Sequence, residues 1–309
     1  MYLTCRYRPA RRAGNVDLCY HLSPMEIVNR VSRMAAMTAK VVSEDVKIGL
    51  VSTMGAIHPG HISLIQAARQ MTDIVVVSIF VNRLQFLTEE EYRQYPRDIT
   101  RDVDILRQED VDYIFTPPEE EMYPPDFTTY VEVESFGSKL PGIYKRNYFR
   151  GMTTSILKML HIVKPAFIFF GQKDHLQGAI LRKMMRDLNM DTEVVVTPVV
   201  RDSSGLAYAA RNYFLSPAQK AAAPVIYRSL QAAQSAVLGG ELQSKKIVKQ
   251  ITDVIQSEPL AKLEYAVVAN PDTLEPLTKV QDSALIGVGA RIGETSLNDS
   301  LLFERAPKT

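Results

Sequence analysis

The sequence predicts a doubly wound parallel α/β sheet followed by a smaller α+β C-terminal domain. Through about residue 205, short β-branched runs alternate with helical stretches, which is typical of a parallel sheet with helices on both faces. Beyond Ser216-Pro217, two helical stretches come first and strand-like segments follow, which is the order of an α+β unit. We therefore expect one domain over residues 25–205 and a second over residues 206–309.

The elements of the first domain follow from the spacing of apolar residues. Helical spacing begins at Met25 and continues to Met37, and the continuous β-branched run Asp73–Val81 predicts a strand buried on both faces. Strands and helices that alternate along the chain predict a Rossmann-like sheet. The other predicted strands are Ile48–Ser52, Val111–Phe115, Phe167–Phe170 and Thr192–Val200, and the other predicted helices are Ile62–Met71, Ile99–Gln108, Met152–Val163 and His175–Leu188.

The second domain has a different pattern. The glycines between residues 287 and 293 have the spacing G-x-G-x-x-x-G, which does not match a dinucleotide-binding loop, so we expect strand and turn there. In the first domain, the acidic triplets Glu89–Glu91 and Glu119–Glu121 are expected to be solvated helix faces and not metal sites. The predicted helices of the second domain are Ala218–Leu238 and Ser244–Ser257, and its predicted strands are Leu263–Ala269, Ala284–Val288 and Ser296–Leu302.

The composition of the 309-residue chain excludes several classes of protein. Lys and Arg number 36 against 35 Asp and Glu, so the net charge of +1 provides no excess of the kind that binds nucleic acid. The longest apolar runs are far shorter than the ~20 residues that a membrane span needs, so we expect no membrane partner. Cys5 and Cys19 are too few for a disulfide framework or a four-cysteine zinc site, which favours a cytoplasmic protein.

Residues 1–24 are predicted to be a disordered or spurious extension. The segment contains four arginines and a single acid, Asp17, and it lacks the apolar core of a secretion signal. An organellar transit peptide is an alternative, since the segment is rich in arginine, although it contains little serine. A start at Met25 would explain the segment as an upstream artefact.

The densest group of polar residues is TMGAIHPGH, residues 53–61, between the first core strand and a helix. Open α/β sheets bind ligands at this end of a parallel strand. His58 and His61 come at the start of the helix, where free N–H groups and the dipole favour an anion, and both imidazoles can donate to phosphate oxygens. His-x-Gly-His at such a junction is the signature of the nucleotidylyltransferase superfamily, and it suggests attack on an α-phosphate without identifying the acceptor.

Three further polar segments follow predicted strands or lie at the domain junction. Lys173 offers a point charge for a polyphosphate, and Asp174 can accept from ribose hydroxyls or help to hold a metal ion, although a helix start with a favourable acid is the simpler explanation. Asn82 and Gln85 offer neutral donors and acceptors that suit a small polar substrate. Arg211 lies at the presumed junction, where a mobile arginine could close over an anion.

Together these segments resemble the pantothenate synthetase (pantoate–β-alanine ligase) family along essentially the whole chain from Met25. The resemblance implies that the carboxylate of pantoate attacks the α-phosphate of Mg·ATP, which gives pantoyl adenylate and pyrophosphate, and that the amine of β-alanine then displaces AMP. It also implies ATP as co-substrate, Mg²⁺, and a homodimer. The segments that carry it are TMGAIHPGH (53–61), SIFVNRLQF (78–86), QYPRD (94–98), FFGQKDHLQ (169–177), GLAYAARNYFLSP (205–217) and ALIGVGARIG (284–293).

The resemblance implies roles for individual residues. His61 is the residue usually assigned as proton donor, and His58, Lys173 and Arg211 would neutralise phosphates. No metal site made of protein side chains is implied. The residues implied to lie along the nucleotide are Met54, Gly55, Gly171, Asp174, Val200 and Tyr208, and those implied to hold pantoate are Gln85 and Gln177, with Asn82 and Met54 nearby.

Several positions depart from the family pattern. Ala209 and Ala210 replace two serines that donate to the triphosphate, and the loss could cost roughly 1–3 kcal/mol for each hydroxyl, which predicts a slow enzyme and not a dead one. Gln172 replaces an acid beside the ribose, Arg83 replaces a proline, and Tyr148 replaces a histidine.

These departures leave two alternatives open. The chain could be a diverged AMP-forming ligase that joins a related hydroxy acid to another amine, with Arg83 and Tyr148 as the altered specificity determinants. It could also be a catalytically weakened relative that binds nucleotide or pantoate without turnover. A tRNA synthetase is not expected, because the chain has neither a basic excess nor room for an anticodon-binding domain.

Overall fold

The computed structural model describes residues 25–42, 46–86, 88–134 and 146–305. Residues 1–24, with both cysteines, lie outside the described residues, so the predictions for that segment stay predictions. Within the described ranges, no helix combines the length and the apolar character that crossing a bilayer requires.

The first sheet has six strands in the order β1-β4-β3-β2-β5-β6, and all of its pairings are parallel. The chain adds β3 and β4 on one side of β2 and then returns to place β5 and β6 on the other side. The strand order therefore reverses between β2 and β5, and open α/β sheets bind ligands in the crevice at such a reversal. The strands are β1 (Glu26–Val28), β2 (Ile48–Thr53), β3 (Ile74–Ile79), β4 (Tyr113–Phe115), β5 (Phe167–Gly171) and β6 (Glu193–Thr197).

Helices cover both faces of this sheet. Successive strand residues point to opposite faces, so Leu50 packs in one core with Met34 and Met159, while Val51 packs in another with Ile65. The doubly wound α/β fold predicted from the sequence is confirmed. The helices along this part of the chain are α1 (Val31–Val42), α2 (Pro59–Met71), α3 (Glu89–Gln94), α4 (Ile99–Leu106), α5 (Glu119–Met122), α6 (Arg146–Val163) and α7 (His175–Asp187).

The C-terminal part has a separate antiparallel sheet in the order β7-β8-β9. Its core draws residues from Leu206 to Phe303. The ring of Tyr265 lies against Gly289, where an added Cβ would come within 2.2 Å of it, so glycine is required at this strand position. Gly293 turns the chain between two strands with φ +58°, as predicted for this glycine-rich segment. The elements are α8 (Pro217–Ala222), α9 (Val225–Leu238), α10 (Ser244–Gln256), β7 (Ala261–Ala269), β8 (Ser283–Ile292) and β9 (Thr295–Glu304).

Two predicted helices are wrong in part. Glu26–Val28 is a strand paired with β4, and α1 begins only at Val31, whose N–H donates to the carboxylate of Glu121 at 2.7 Å. Glu121 is thus a half-buried capping acid, whereas Glu89–Glu91 is exposed as predicted. The predicted helix Ala218–Leu238 is divided at Pro224, because proline has no N–H to continue a helical ladder.

Candidate active site

A cavity of about 250 Å³ opens at the carboxyl ends of β2 and β5, where the strand order reverses. It collects side chains from four loops that are far apart in the sequence. Of the predicted site residues, the structure brings eleven together in the lining, which does not include Gly55 and Asn82. These eleven are Met54, His58, His61, Gln85, Gly171, Lys173, Asp174, Gln177, Val200, Tyr208 and Arg211.

Two stacked imidazoles form the part of the cavity nearest α2. The rings of His58 and His61 lie with centroids 3.9 Å apart and planes 19° apart. His58 is the N-cap of α2, Pro59 follows it, and the helix start at this point favours anions. A Cβ on Gly60 would come within 3.0 Å of the His58 ring, so glycine allows the ring to lie back over the helix start.

Both imidazoles are uncharged at neutral pH. Burial, followed by the charge of Lys173, lowers the pKa of His58 from 6.5 to about 4. Burial, followed by the nearby His58 and Lys173, holds the pKa of His61 well below its usual value. Each neutral ring has one N–H donor and one acceptor nitrogen. A phosphate group brought between them would meet donors and would favour protonation, because opposite charge raises the pKa of histidine.

A buried carboxylate shapes the backbone that leads to these histidines. Asp102, 1% exposed in the middle of α4, accepts the N–H groups of Ala56 and Ile57, each at 2.8 Å. Gly55 and Ala56 both have left-handed backbone, with φ of +83° and +52°, and such a turn points successive N–H groups inward as an anion-binding nest. Sequence reasoning missed Asp102, although a charged residue within the apolar periodicity of a helix is a usable signal.

The side chains of Lys173 and Asp174 are paired with each other at 2.8 Å, at the start of α7. Asn298 of β9 donates to the same carboxylate oxygen of Asp174 at 3.3 Å. Burial by itself would raise the pKa of Asp174, but the Lys173 charge and the hydrogen bonds from Lys173 and Asn298 outweigh it and lower the pKa. Asp174 therefore stays a carboxylate, and Lys173 is held in the cavity by a partner that a phosphate could replace.

The second sheet supports the loop that carries these two residues. Besides its bond to Asp174, the amide of Asn298 donates to the carbonyl of Lys173 at 3.4 Å, and Ser300 Oγ donates to the carbonyl of Gln172 at 2.7 Å. Neither Asn298 nor Ser300 was among the predicted site residues. Nothing in their local sequence points to the cavity, since the contact depends on how the second sheet docks.

The loop of Tyr208 to Arg211 is anchored at its base by a half-buried arginine. Arg201 binds the carboxylate of Asp299 with both terminal nitrogens and lies 3.8 Å from the centroid of the Tyr227 ring. From this base the loop reaches the cavity, where Tyr208 lies 6.4 Å from the His58 ring, and Arg211 is exposed at the rim.

Neutral polar groups line the wall on the side of β3 and α6. Gln177 Nε2 donates to the hydroxyl of Tyr148 at 3.0 Å, and the side chain of Gln85 lies beside Tyr148 in the same lining. Asn82 is 1% exposed, and its amide donates to the carbonyl of Gly151 at 3.0 Å and to Gln85 Oε1 at 3.3 Å. These contacts make Asn82 a support for Gln85, and its implied place near pantoate stays a prediction.

A wider cleft of about 540 Å³ adjoins this wall and runs between α7 and the second sheet. The two openings share Gln85, Tyr148, Gln177 and Lys173, so a small molecule can reach the polar wall from the cleft. Arg83, considered as a specificity determinant, lies at the surface and pairs with Glu89 at 2.7 Å. Within the described ranges, no cluster of three or more histidine, cysteine or acidic side chains is arranged to hold a metal ion.

Comparisons with known proteins agree on one family. The sequence profile of the Pantoate-beta-alanine ligase family matches residues 26–302. A pantothenate synthetase of Thermoanaerobacter pseudethanolicus is 41% identical over 279 residues, which cover 90% of this chain and 99% of that protein. Another, from Pelotomaculum thermopropionicum, is 42% identical over 279 residues, again covering 90% of this chain and 99% of its own length.

Solved structures give the same result. The crystal structure of pantothenate synthetase from Thermus thermophilus matches with a TM-score of 0.84 and 36% identity, over 90% of this chain and 99% of that one. The pantoate-β-alanine ligase of Francisella tularensis, crystallised with a β,γ-ATP compound and β-alanine, matches with a TM-score of 0.73 and 31% identity, over 92% of this chain and all of that one.

Proposed function

The chain belongs to the pantoate-β-alanine ligase family, and from this premise we propose how its own residues carry out the reaction. The chain is an AMP-forming ligase that condenses pantoate with β-alanine through a pantoyl adenylate. One observation supports the residue roles best. Two stacked imidazoles, a lysine and an arginine line the same cavity as the neutral amides.

In the first step, the carboxylate of pantoate attacks the α-phosphorus of ATP and pyrophosphate leaves. Charge builds up on the phosphate oxygens, so preorganised donors at this place stabilise the transition state. His58 and His61 supply N–H donors at the start of α2, and His61 is the proposed proton donor. Lys173 exchanges its bond to Asp174 for a phosphate oxygen, and Arg211 closes over the leaving pyrophosphate from the rim.

Binding of the nucleotide uses the remaining lining residues on this side. We propose that Met54, with the backbone of Gly55, lies along the nucleotide, and that Gly171 and Asp174 reach the ribose. Val200 and Tyr208 pack beside the nucleotide from the opposite wall. A glycine at position 171 leaves open space, because an added Cβ there would meet no heavy atom within 4 Å.

The acid is held by neutral groups, Gln85 and Gln177, and not by a cation. This choice suits the chemistry, because a carboxylate neutralised by an arginine or lysine would be a poorer nucleophile. In the second step, the amine of β-alanine attacks the acyl carbon of the adenylate and AMP leaves. The cleft beside Gln85 and Gln177 offers the amine a path to that carbon.

Mg²⁺ is proposed to enter with ATP. This ion prefers oxygen ligands, keeps several waters, and is often held by phosphates and one or two carboxylates. Asp174 is the acidic residue among those that line the cavity, which fits an ion carried by the phosphates and not by a protein cage. In that place the ion would offset charge on the phosphate oxygens.

The decisive assay is AMP formation with Mg·ATP and pantoate, with and without β-alanine, together with pantoate-dependent exchange of pyrophosphate into ATP. We expect AMP release only when both substrates are present, and exchange with pantoate alone. Exchange that β-alanine does not convert into AMP release would contradict the proposed amine, and the absence of both signals in folded protein would contradict the proposed reaction.

Three further expectations accompany this function. We propose that residues 206–309 act as a lid, because Asn298 and Arg211 reach the cavity from that part of the chain. The resemblance implies a homodimer, which light scattering of the purified protein would test. A cytoplasmic location stays a prediction from the low cysteine content, and cell fractionation would test it.

A further inference from the structure

The phenol of Tyr148 occupies the centre of the neutral wall. Its hydroxyl accepts a hydrogen bond from Gln177 Nε2 at 3.0 Å, and the side chain of Gln85 lies beside it in the cavity lining. The ring lines both the cavity and the adjoining cleft, and it packs edge-on against Phe149 with centroids 5.0 Å apart. Tyr148 therefore lies in one wall with two glutamines that are 92 positions apart in the sequence.

Close packing of α6 brings the phenol to this place. A Cβ on Gly151 would come within 2.5 Å of Leu84, so glycine lets the helix lie directly on the turn that carries Gln85. Asn82 ties the two together by donating to the carbonyl of Gly151 at 3.0 Å. Residues three apart share one face of a helix, so Tyr148 lies on the face that Gly151 brings against this turn.

The hydrogen bonds also determine which end of each amide faces the substrate. A glutamine amide has an oxygen that only accepts and a nitrogen that only donates. With Gln177 Nε2 directed to the phenol, its oxygen is left for a substrate hydroxyl. Gln85 Oε1 already accepts from Asn82 at 3.3 Å, which leaves the Gln85 nitrogen as the donor that can reach the Tyr148 hydroxyl. Burial raises the pKa of Tyr148, so the phenol remains neutral and able to hold both amides at neutral pH.

We propose that Tyr148 is a positioning residue that sets the specificity for the acid, by fixing the orientation of the Gln85 and Gln177 amides that read its hydroxyl groups. This inference rests on the proposed function of the cavity, and it deepens the assignment of the two glutamines. A site built to bond a substrate hydroxyl discriminates strongly against an analogue that lacks it, because its polar groups are then left unpaired. Free rotation of the amides would remove that discrimination.

The test compares pantoate with 2-hydroxy-3,3-dimethylbutanoate, which lacks the terminal hydroxyl. AMP formation is measured for the wild type, Tyr148→Phe and Tyr148→His at saturating ATP and β-alanine. Tyr113→Phe is the matched control, since Tyr113 is half-buried in β4 of the same sheet and does not line the cavity. All variants are first compared by thermal unfolding.

We expect Tyr148→Phe to raise KM for pantoate about tenfold and to lower the preference for pantoate over the analogue by about tenfold. KM for ATP should change less than about twofold, and Tyr148→His should restore most of the preference because histidine can again hydrogen bond. An unchanged preference in Tyr148→Phe would overturn the inference, as would an equal rise in both KM values.

Calorimetric binding of pantoate separates this inference from the proposed function. A wild type that binds pantoate but forms no AMP would contradict the function alone. Equal dissociation constants for the wild type and Tyr148→Phe would overturn the role of Tyr148 alone. A wild type that binds no pantoate would overturn both.

Discussion

The carboxylate of Asp102 holds the backbone N–H of Ile57 at 2.8 Å, across 45 positions of sequence. The second carboxylate oxygen accepts the N–H of Ala56, and the two residues come directly before His58, the first of the stacked histidines. An internal anion thus occupies the nest of N–H groups that a left-handed turn creates, and the loop is set before any phosphate arrives.

Replacement of Asp102 by asparagine should therefore damage activity more than a surface change on the same helix. An asparagine places an N–H donor where two backbone N–H groups require acceptors. Hydrogen bonds to a charged group contribute about 1.5–3 kcal/mol, so we expect a loss of stability in this range and a fall in kcat of at least about tenfold. Urea unfolding measures the stability and AMP formation measures the activity. The control in both measurements is Asp104→Asn, an exposed change on α4. Equal effects of the two variants would contradict the positioning role of Asp102.

His58 should titrate far below an ordinary histidine. Its pKa is about 4 in the folded protein, mainly because of burial, against 6.5 for an exposed imidazole. The unfolded chain therefore binds this proton from pH 6.5 downward, while the native protein does so only near pH 4. Stability contributed by this group is present above pH 6.5 and is lost as the pH falls from 6.5 to 4. NMR titration of the imidazole in the wild type and in His58→Asn would check this, and a midpoint near 6.5 would refute it.

Addition of pyrophosphate should move the same titration upward, because a nearby anion favours the protonated imidazole. The NMR midpoint of His58 with saturating pyrophosphate would measure the shift. The same titration with sodium chloride at matched ionic strength serves as the reference. An equal shift of the His58 midpoint with sodium chloride would indicate general salt screening and not a phosphate site.

The paired change Ala209→Ser with Ala210→Ser should accelerate the enzyme. Both alanines line the cavity next to Arg211, at the positions where the family pattern has serines. Two hydroxyl donors to the triphosphate in the transition state would raise kcat/KM for ATP by about tenfold or more. Pyrophosphate exchange measures the adenylation step directly, with Ala221→Ser, an exposed change in α8 outside the cavity, as the control. An unchanged exchange rate would mean that this loop has not been weakened.

Asn298→Ala should weaken ATP binding without altering the acid site. The asparagine amide bonds both the carboxylate of Asp174 and the carbonyl of Lys173, so its loss frees the loop that carries them. We expect KM for ATP to rise by about threefold to tenfold, while KM for pantoate stays within about twofold. Steady-state kinetics of Asn298→Ala would check this expectation, with Asn29→Ala, an exposed change outside the cavity, as the control. A selective rise in KM for pantoate would contradict this assignment.

Much of the fold could be predicted from the sequence, because buried parallel strands such as Ile74–Ile79 are continuous apolar runs. Short elements were harder. Glu26–Val28 is only three residues long, its apolar residues also match helical spacing, and its strand pairing with Tyr113–Phe115 is a tertiary contact that no local pattern encodes. The break at Pro224 could have been predicted, since proline is a reliable helix terminator.

The residues of the candidate site also fall into a group that could be predicted from the sequence and a group that could not. Residues in the loops that follow strands, such as His58 and Lys173, were predictable because parallel strands bring their carboxyl ends to one edge. Asp102 and Asn298 were not, since each reaches the cavity from an element whose docking depends on packing over long sequence distances. The surface position of Arg83 was equally hidden, because it depends on its pairing with Glu89 after the turn.

The bonds from Asn298 and Ser300 to the loop at Gln172–Asp174 span 124 and 128 positions of sequence. During synthesis, the parallel sheet can form from the segment that emerges first, and domains generally fold as units in that order. The loop at Gln172–Asp174, however, gains these two hydrogen bonds only after β9, the third strand of the second sheet, has left the ribosome. A nascent chain would thus be unable to hold ATP firmly until nearly all of residues 25–305 had been made, which delays catalysis until the protein has finished folding.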